Sequence, residues 1–496
     1  MAKGEIRLRY SGFVIFTANI LSMATGLAFQ LMIARSATTQ EYGIWFNIGD
    51  VTAYFIILAG VFPFWALRFT ARAKQGAIKT AFSANMAISM MAAMFYLLFV
   101  PFITSTLGIG QKYFLLYLLA SAQIVEVYVL NALEACLQAR MPHTLGYGLL
   151  LGEICKITLG YMLIMGLQLS LFGALISIIM GVAVQLAYYL KLLMGDLREK
   201  VEWAYVKEWL KGSVANIYNV VGNQIAAFIF ILLFTYGGEV ARGYYGAAAQ
   251  IASMVTYSSF LAFALYPKLL AEKNSRDITI SLKTVLMFAI PMTAGALALN
   301  DSYLTILRIE YREAWPILIV LAVDALIATI STVFSYVLYG FERVDEEAKI
   351  SFKDLVKSRL FAAFSLPYIH SAITLPTTFY VLTNYTREQP LQSALSVAII
   401  NSAARFAMFL ILYAMVRGMT EVKVPWSNIA KYVFAAAVMG FVLYVIPHPT
   451  RISLTLAVTA SGGILYFALL SAIDEEARML IKAVWREIKS KLAGLA

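Results

Sequence analysis

The chain has 496 residues, of which 61% are hydrophobic and 14% are charged, and its formal net charge is +11. Soluble domains carry about 25% charged residues, so this composition excludes an ordinary soluble protein. The charged residues gather in short clusters between apolar stretches of about 20 residues, the length that an α-helix needs to cross a bilayer. Basic residues are dispersed among these clusters, which argues against nucleic acid and favours contact with lipid headgroups.

Two apolar stretches, residues 12–33 and 44–67, begin the chain and are separated by the polar segment ARSATTQEYG. The basic run LRFTARAK follows the second stretch. Each stretch exceeds the roughly 20 residues of a membrane-spanning helix, so the sequence predicts a transmembrane hairpin with both ends on one side. No signal-peptide pattern precedes the first stretch, which is expected to be retained.

Similar apolar stretches recur to the end of the chain, and backbone groups in lipid must be paired within helices. We therefore predict an all-α integral membrane protein of about 14 transmembrane helices. The later spans are residues 78–102, 113–137, 144–165, 171–193, 213–236, 245–265, 279–299, 315–339, 360–383, 391–416, 429–446 and 452–473. Span 360–383 is the least regular, because Pro367, His370 and Pro376 interrupt it.

The distribution of basic residues supports this count. With both termini inside, about 30 of the 39 Lys and Arg residues fall on the inner side. Those on the outer side are Arg35, Lys112, Arg242, Arg308, Arg312, Arg387 and Arg451. Cytoplasmic loops are enriched in Lys and Arg, so the asymmetry predicts that both termini are cytoplasmic.

Three inner segments, 196–210, 343–359 and 474–492, have amphipathic helical periodicity and are expected to lie flat at the membrane surface. A repeat is suggested by a shift of 200 residues, which aligns Gly12 with Gly212, Asn19 with Asn219, Gly43 with Gly243, and Asp50 with Gln250. The pattern favours two six-helix lobes around a central cavity. The predicted domains are an N-terminal lobe (1–195), an amphipathic linker (196–212), a C-terminal lobe (213–417), an additional helix pair (418–473) and a cytoplasmic amphipathic tail (474–496).

Ionisable side chains within spans cost roughly 2.5–3.5 kcal/mol each on insertion scales, so each needs a reason. Arg405 is the leading candidate for binding a phosphate, because a guanidinium stays charged and presents a fork of donors. An ion pair with Asp324 or with a glutamate of span 113–137 is an equal alternative. Lys156 is a second candidate, and its neutralisation by Glu153 one helical turn away is the favoured alternative.

Other buried carboxylates are candidates for binding a coupling proton or sodium ion, since burial favours the protonated or cation-bound form. They are Asp50, Glu126, Glu134 and Asp324. Polar stripes along the helices suggest that several side chains line a wet cavity, although hydrogen bonding between helices is the alternative. The candidates for lining the cavity are Asn19, Gln30, Asn216, Asn219, Asn223 and Gln250.

Enzymatic functions find little support. The chain has no phosphate-binding loop of the Walker type, no metal-ligand spacing and no nucleophile elbow, and no cofactor is expected. The three histidines are scattered, and Cys136 and Cys155 fall within spans, where packing is the favoured explanation. A membrane-embedded glycosyltransferase would need paired carboxylates on a loop or an outer domain, and neither is visible.

The segment ARSATTQEYG, with a long span before it and LRFTA after the next, resembles polysaccharide-type flippases of the multidrug/oligosaccharidyl-lipid/polysaccharide exporter superfamily. The segments GYYGAAAQI and EYREAWPIL are similar to later outer turns of that family. Within the resemblance, Arg35 belongs to the first outer turn and Arg68 to the exit of span two, and both are candidates for contacting the phosphate.

This resemblance implies an alternating-access flippase in a prokaryotic plasma membrane. It would move polyprenyl-(pyro)phosphate-linked oligosaccharide from the cytoplasmic to the outer leaflet for polysaccharide or glycan assembly. The chain departs from the lipid II flippase branch, because Asn19 and Gln30 occupy a span that is rich in arginine in that branch. A peptidoglycan precursor is therefore disfavoured as the substrate. The alternative is a cation-coupled multidrug-type exporter of small amphipathic compounds.

Overall fold

The computed structural model describes residues 8–262, 265, 269, 274–341 and 358–479, and within these ranges it contains helices and no β-strand. The chain divides into two compact units, Met1–Gly243 and Tyr244–Ala496. The predicted all-α membrane fold is confirmed, and the predicted domain boundaries stay a prediction.

The first unit contains ten helices among its described residues, the last of which continues past its end. They are α1 Leu8–Ser36, α2 Thr39–Phe55, α3 Val61–Ala71, α4 Ala77–Thr106, α5 Phe114–Arg140, α6 His143–Gly160, α7 Ser170–Leu193, α8 Trp203–Gly212, α9 Val214–Leu232 and α10 Gly238–Thr256. Short π turns follow α6 at Tyr161–Gly166 and α9 at Leu233–Gly237.

The second unit continues with the rest of α10, a 3-10 turn at Tyr257–Ala262 and a further set of helices. Those that the described residues form are α11 Ser275–Ala298, α12 Asn300–Leu307, α13 Trp315–Phe341, α14 Arg359–Asn384, α15 Pro390–Arg417, α16 Trp426–Val445 and α17 Ile452–Ile473. The predicted amphipathic segment 343–359 and the predicted tail 474–496 lie mostly outside the described residues.

Ten helical stretches of the described chain are long and apolar enough to cross a membrane. The stretch Asn216–Ala262 alone has 47 residues and covers most of two predicted spans, 213–236 and 245–265. Its π turn and the left-handed Gly238 separate those spans. The chain is thus a multi-pass membrane protein.

The first predicted outer turn is short, as expected, because α1 ends at Ser36 and α2 begins at Thr39. Thr38 caps α2: the Glu41 backbone N–H donates to its hydroxyl at 3.1 Å, while its own N–H donates to the Glu41 carboxylate at 3.0 Å. This capping box satisfies two backbone donors at the start of the helix. Thr38 and Glu41 of this motif therefore form the N-terminal cap of α2.

The second predicted span, 44–67, is wrong as one continuous helix, because residues 56–60 form turns between α2 and α3. Helix α5 stabilises the break. The Tyr128 hydroxyl donates to the Phe55 carbonyl at 3.0 Å, and the Asn131 amide donates to the Ala59 carbonyl at 3.4 Å. Backbone groups freed from a membrane helix need such partners.

Helix α8 (Trp203–Gly212) overlaps the predicted amphipathic segment 196–210, but its aromatic face packs on protein. Trp209 is fully buried, and its ring lies 6.0 Å from that of Phe62 and 5.5 Å from that of Phe69, both on α3. Tyr205 stacks on Trp209 one turn away. The expectation that this face lies on the membrane surface is therefore wrong for Trp209.

Two glycines allow α2 and α10 to cross at very close range. A Cβ at Gly43 would overlap the Glu239 carbonyl, and one at Gly243 would overlap the Thr39 carbonyl. Small residues permit this kind of backbone approach between membrane helices. The glycines of the EYG and GYY motifs therefore lie opposite each other.

We expect Gly43→Ala to destabilise the protein by about 1–3 kcal/mol, because the added methyl group forces two backbones apart. Gly49→Ala is the matched control: it lies on the same helix, and its added Cβ would meet no atom within 4 Å. Thermal unfolding in detergent measures both variants. Equal midpoints for the two alanine variants would contradict the close crossing.

Candidate functional site

The first unit contains a buried ion pair between Asp50 of α2 and Arg242 of α10. The Arg242 Nε donates to Asp50 Oδ2 at 2.7 Å, and its Nη2 donates to Oδ1 at 2.9 Å. Arg242 is only 5% exposed, and its guanidinium lies 4.8 Å from the ring centre of Phe46 and 4.9 Å from that of Phe230. A two-pronged pair sandwiched by aromatic rings is a strong fixed contact.

This pair changes the interpretation of both residues. Asp50 was a candidate for binding a coupling cation, but the structure places a guanidinium on both of its oxygens. From its position in the sequence, Arg242 is expected only as a basic residue on the outer side. A separation of 192 residues leaves no local pattern that could have revealed the pair.

The second unit has a different kind of ion pair between Arg405 of α15 and Asp324 of α13. The Arg405 Nη1 lies 2.8 Å from Asp324 Oδ2. The Asp324 side chain is 6% exposed, whereas that of Arg405 is 40% exposed. The carboxylate therefore fixes the guanidinium without enclosing it. The ion pair that the sequence offered as an alternative for Arg405 is present.

Lys156 lies in a polar contact between α1 and α6. Its Nζ donates to Glu153 Oε1 at 2.6 Å, as the spacing of these residues suggested. Ser22 and Thr25 of α1 donate hydroxyl hydrogen bonds to the same carboxylate. Lys156 is thus neutralised within its own helix, and Glu153 joins two helices.

The two candidate carboxylates of α5 have different surroundings. Glu134 accepts a hydrogen bond at 3.1 Å from the Gln185 amide, which also donates to the Tyr189 hydroxyl. Glu126 is 9% exposed, and its Oε2 is buried without a hydrogen-bond partner. Glu126 Oε2 therefore retains hydrogen-bonding capacity.

The predicted polar lining is partly exposed. Asn19 donates to the Ile15 carbonyl of its own helix, and Asn223 donates to the backbone and side chain of Asn219; both side chains are exposed. Gln30 accepts a long bond of 3.4 Å from Tyr42. Asn216 and Gln250 are half-buried. The hydrogen bonds of Asn19 and Asn223 thus lie within single helices, whereas that of Gln30 joins α1 to α2.

The two remaining arginine candidates lie at the ends of helices. Arg35 is exposed in the last turn of α1. Arg68 is exposed near the end of α3, and its guanidinium lies 4.2 Å from the ring centre of Phe64. Aromatic stacking orients a guanidinium while leaving its edge to other ligands.

An apolar cavity of about 600 Å³ lies in the second unit. Helices α11, α13, α15 and α16 supply most of its lining. The lining includes Leu286, Leu326, Phe334, Phe409, Tyr413 and Val433. The volume is within the range of about 300–1,000 Å³ that is common for ligand sites.

No group of three or more His, Cys, Asp or Glu residues in the described ranges could hold a metal ion. Cys136 and Cys155 are free thiols.

We expect Asp50→Asn to destabilise the first unit by about 3–5 kcal/mol, because it leaves a buried guanidinium without its carboxylate. The double variant Asp50→Leu/Arg242→Met should recover most of that loss. As a control, Glu476→Gln breaks an exposed pair with Lys283 and should change stability by less than about 1 kcal/mol. Thermal unfolding in detergent tests all three, and an unaltered Asp50→Asn midpoint would refute the assigned strength.

No protein-family model and no curated protein sequence matches this chain. Solved structures do match it. The lipid II flippase MurJ in an inward closed conformation has a TM-score of 0.60 and 15% identity, over 94% of this chain and 99% of that one. An inward-facing multidrug resistance MATE transporter of the MOP superfamily has a TM-score of 0.59 and 14% identity, over 80% of this chain and 95% of that one.

An outward-facing MATE transporter of that superfamily also matches, with a TM-score of 0.52 and 14% identity, over 82% of this chain and 96% of the other. All three are transporters, and each is covered almost completely. The predicted superfamily resemblance is thus confirmed at the level of the fold: this chain has the architecture shared by the flippase and multidrug transporters of the MOP superfamily.

Proposed function

We propose that the protein is a flippase for a polyprenyl-(pyro)phosphate-linked oligosaccharide, which it moves from the cytoplasmic to the outer leaflet by alternating access. Both flippases and drug exporters share the fold, so the choice between them rests on the charges and cavities of this chain. The single observation that carries the proposal is the half-exposed Arg405 beside an apolar cavity on the same helix.

Arg405 provides the anion-binding end of this arrangement. It lies near the middle of α15, where a fixed cation in hydrocarbon is costly and calls for a functional reason. Asp324 engages one terminal nitrogen, and the 40% exposed side chain retains further donors for a phosphate oxygen. A phosphate would thus meet an arginine that is already held in place.

The cavity provides the apolar end. Phe409 follows Arg405 by four residues, so it lies one turn along the same face of α15, and Tyr413 lies one turn further. A ligand that places a phosphate at Arg405 can therefore extend an apolar chain over Phe409 into the cavity. An anionic head joined to a long hydrocarbon is the chemistry of a polyprenyl phosphate.

The alternative, a cation-coupled multidrug-type exporter of small amphipathic compounds, is less well supported. Such a transporter needs carboxylates for its cargo or its coupling ion, but Asp50 and Asp324 are each engaged by an arginine. Arg405 would also repel a cationic compound. Glu126, with its unpartnered oxygen, is the feature that favours this alternative.

Several finer features belong to the same proposal. The excess of basic residues on one side supports cytoplasmic termini and hence an inward-to-outward direction in a plasma membrane. Asn19 and Gln30 in the first helix support a glycan other than a peptidoglycan precursor. A proton or a sodium ion would drive the cycle, and Glu126 and Glu134 remain candidates for binding it.

We expect Arg405→Gln to reduce glycolipid flipping at least tenfold in reconstituted vesicles, because the anion loses its fixed cation. The single variant leaves the buried Asp324 carboxylate without its cation. The double variant Arg405→Gln/Asp324→Asn removes both charges and so avoids this cost to folding. Arg417→Gln, at the end of the same helix, is the control and should flip normally. Normal flipping by the double variant would defeat the role of Arg405, and faster uptake of cationic dyes than of glycolipid by the wild type would support the alternative.

We expect Ala437→Trp to slow the flipping of a long-chain polyprenyl substrate at least fivefold, since the indole fills the cavity that Ala437 lines. A short-chain analogue with the same headgroup should be affected less than twofold. Phe434→Trp, at an exposed position of the same helix that does not line the cavity, is the control. Equal inhibition of both chain lengths would show that the cavity does not hold the chain.

A further inference from the structure

A group of buried polar side chains lies on three helices that pack together in the second unit, and it includes Asp324 of the Arg405–Asp324 pair. We name the following residues the His370 cluster: Asp324 of α13, His370, Thr374 and Thr378 of α14, and Ser402 of α15. The hydroxyls of Thr374 and Thr378 are buried without a hydrogen-bond partner. The buried polar atoms of the other three have only loose contacts, of Ser402 with Asp324 and of the Asn401 backbone with His370.

The two threonines are unusual for hydroxyls in a membrane helix. Thr374 and Thr378 are fully buried, yet neither donates to the carbonyl four residues earlier. Ser371, Thr377 and Thr383 of the same helix do donate to that carbonyl. A fully buried hydroxyl that forgoes the nearest acceptor costs about 1–3 kcal/mol unless another partner is present, and water is the partner that fits.

Helix geometry places these groups in one row. His370, Thr374 and Thr378 follow one another at four-residue intervals, so they share one face of α14 over about 12 Å. Helices α14 and α15 are neighbours joined by the short segment 385–389, so residues equally distant from it lie level. His370 is thereby level with Arg405, and the threonines extend from it toward the connecting segment.

The charges around His370 support a link to the anion site. Arg405 of α15 acts on His370 electrostatically, and the Asn401 backbone lies beside the imidazole. Ser402 likewise lies beside Asp324. The charged group that acts on His370 is thus Arg405 on α15, which is itself paired with Asp324 on α13. A proton that water delivers to one imidazole nitrogen would raise the combined charge of Asp324, Arg405 and His370 from zero to +1.

We infer that the His370 cluster is a water-filled proton-binding site, and that the charge on His370 sets how strongly Arg405 holds an anionic headgroup. The second part rests on the proposed flippase function and names the proton as a ligand coupled to the substrate. By thermodynamic linkage, a bound proton strengthens anion binding by the same factor as the anion strengthens proton binding.

Water access is tested without any substrate. In a Cys136→Ala/Cys155→Ala background, Thr374→Cys or Thr378→Cys should react with a small water-soluble methanethiosulfonate at least tenfold faster than Thr329→Cys. Thr329 is the matched control, because it is equally buried in the same unit but donates to the Ala325 carbonyl. Rates no faster than that of the control at both positions would overturn the water-filled site.

Proton binding is read from the imidazole itself. In protein labelled with ¹⁵N-histidine, the signal that His370→Gln removes should shift between pH 5 and pH 8. A signal that stays constant over this range would overturn the proton site, whatever the protein transports. This measurement therefore separates failure of the inference from failure of the proposed function.

Coupling is read from binding of a polyprenyl phosphodiester of a sugar. A phosphate monoester titrates near pH 6, so the diester is used because its charge is constant over the range. The wild type should bind the diester at least fivefold more tightly at pH 5.5 than at pH 8. In His370→Gln the affinities at the two pH values should differ less than twofold. The control His448→Gln should keep the pH dependence of the wild type. An unchanged pH response in His370→Gln would assign the titration to another group and overturn the coupling. Absence of binding at both pH values would instead refute the proposed function.

Discussion

The cost of placing a charge in hydrocarbon governs which side chains this chain can carry inside its spans. Three acidic residues within the spans are each joined to a basic one, and the three pairs differ in what they leave available. Arg242 is enclosed by Asp50 and two aromatic rings, and Lys156 lies against Glu153 in one helix. Arg405 alone of these three basic residues combines a buried partner with substantial exposure. Arg242 and Lys156 are therefore engaged in contacts within the protein, whereas Arg405 can also contact a ligand.

The same contrast explains why an amphipathic anion fits the second unit. Donors that are already fixed in place bind phosphate strongly, because they need no reorganisation when the ligand arrives. An apolar cavity adjoining those donors along one helix face matches a ligand whose charge and hydrocarbon are covalently joined. A small hydrophilic anion would bind the fixed donors but leave the apolar cavity empty. A neutral lipid would fill the cavity but would not pair with the arginine.

Hydropathy and the distribution of basic residues were sufficient to predict an all-helical multi-pass protein, since these signals depend only on local composition. The Glu153–Lys156 pair was also predictable, because its partners are three residues apart. The break at residues 56–60 was not, because its stability comes from Tyr128 and Asn131 on another helix. Neither the Asp50–Arg242 pair nor the grouping around His370 could be predicted, because both depend on which helices become neighbours.

The close crossing of α2 and α10 also restricts which residues the first unit can carry there. Because carbonyl oxygens occupy the space where side chains would lie at Gly43 and Gly243, no larger residue fits between the two backbones as they stand. Further along the same membrane segment, the helix is interrupted between Phe55 and Val61. Two side chains of α5 donate to carbonyls of that break, so its conformation depends on hydrogen bonds from a neighbouring helix.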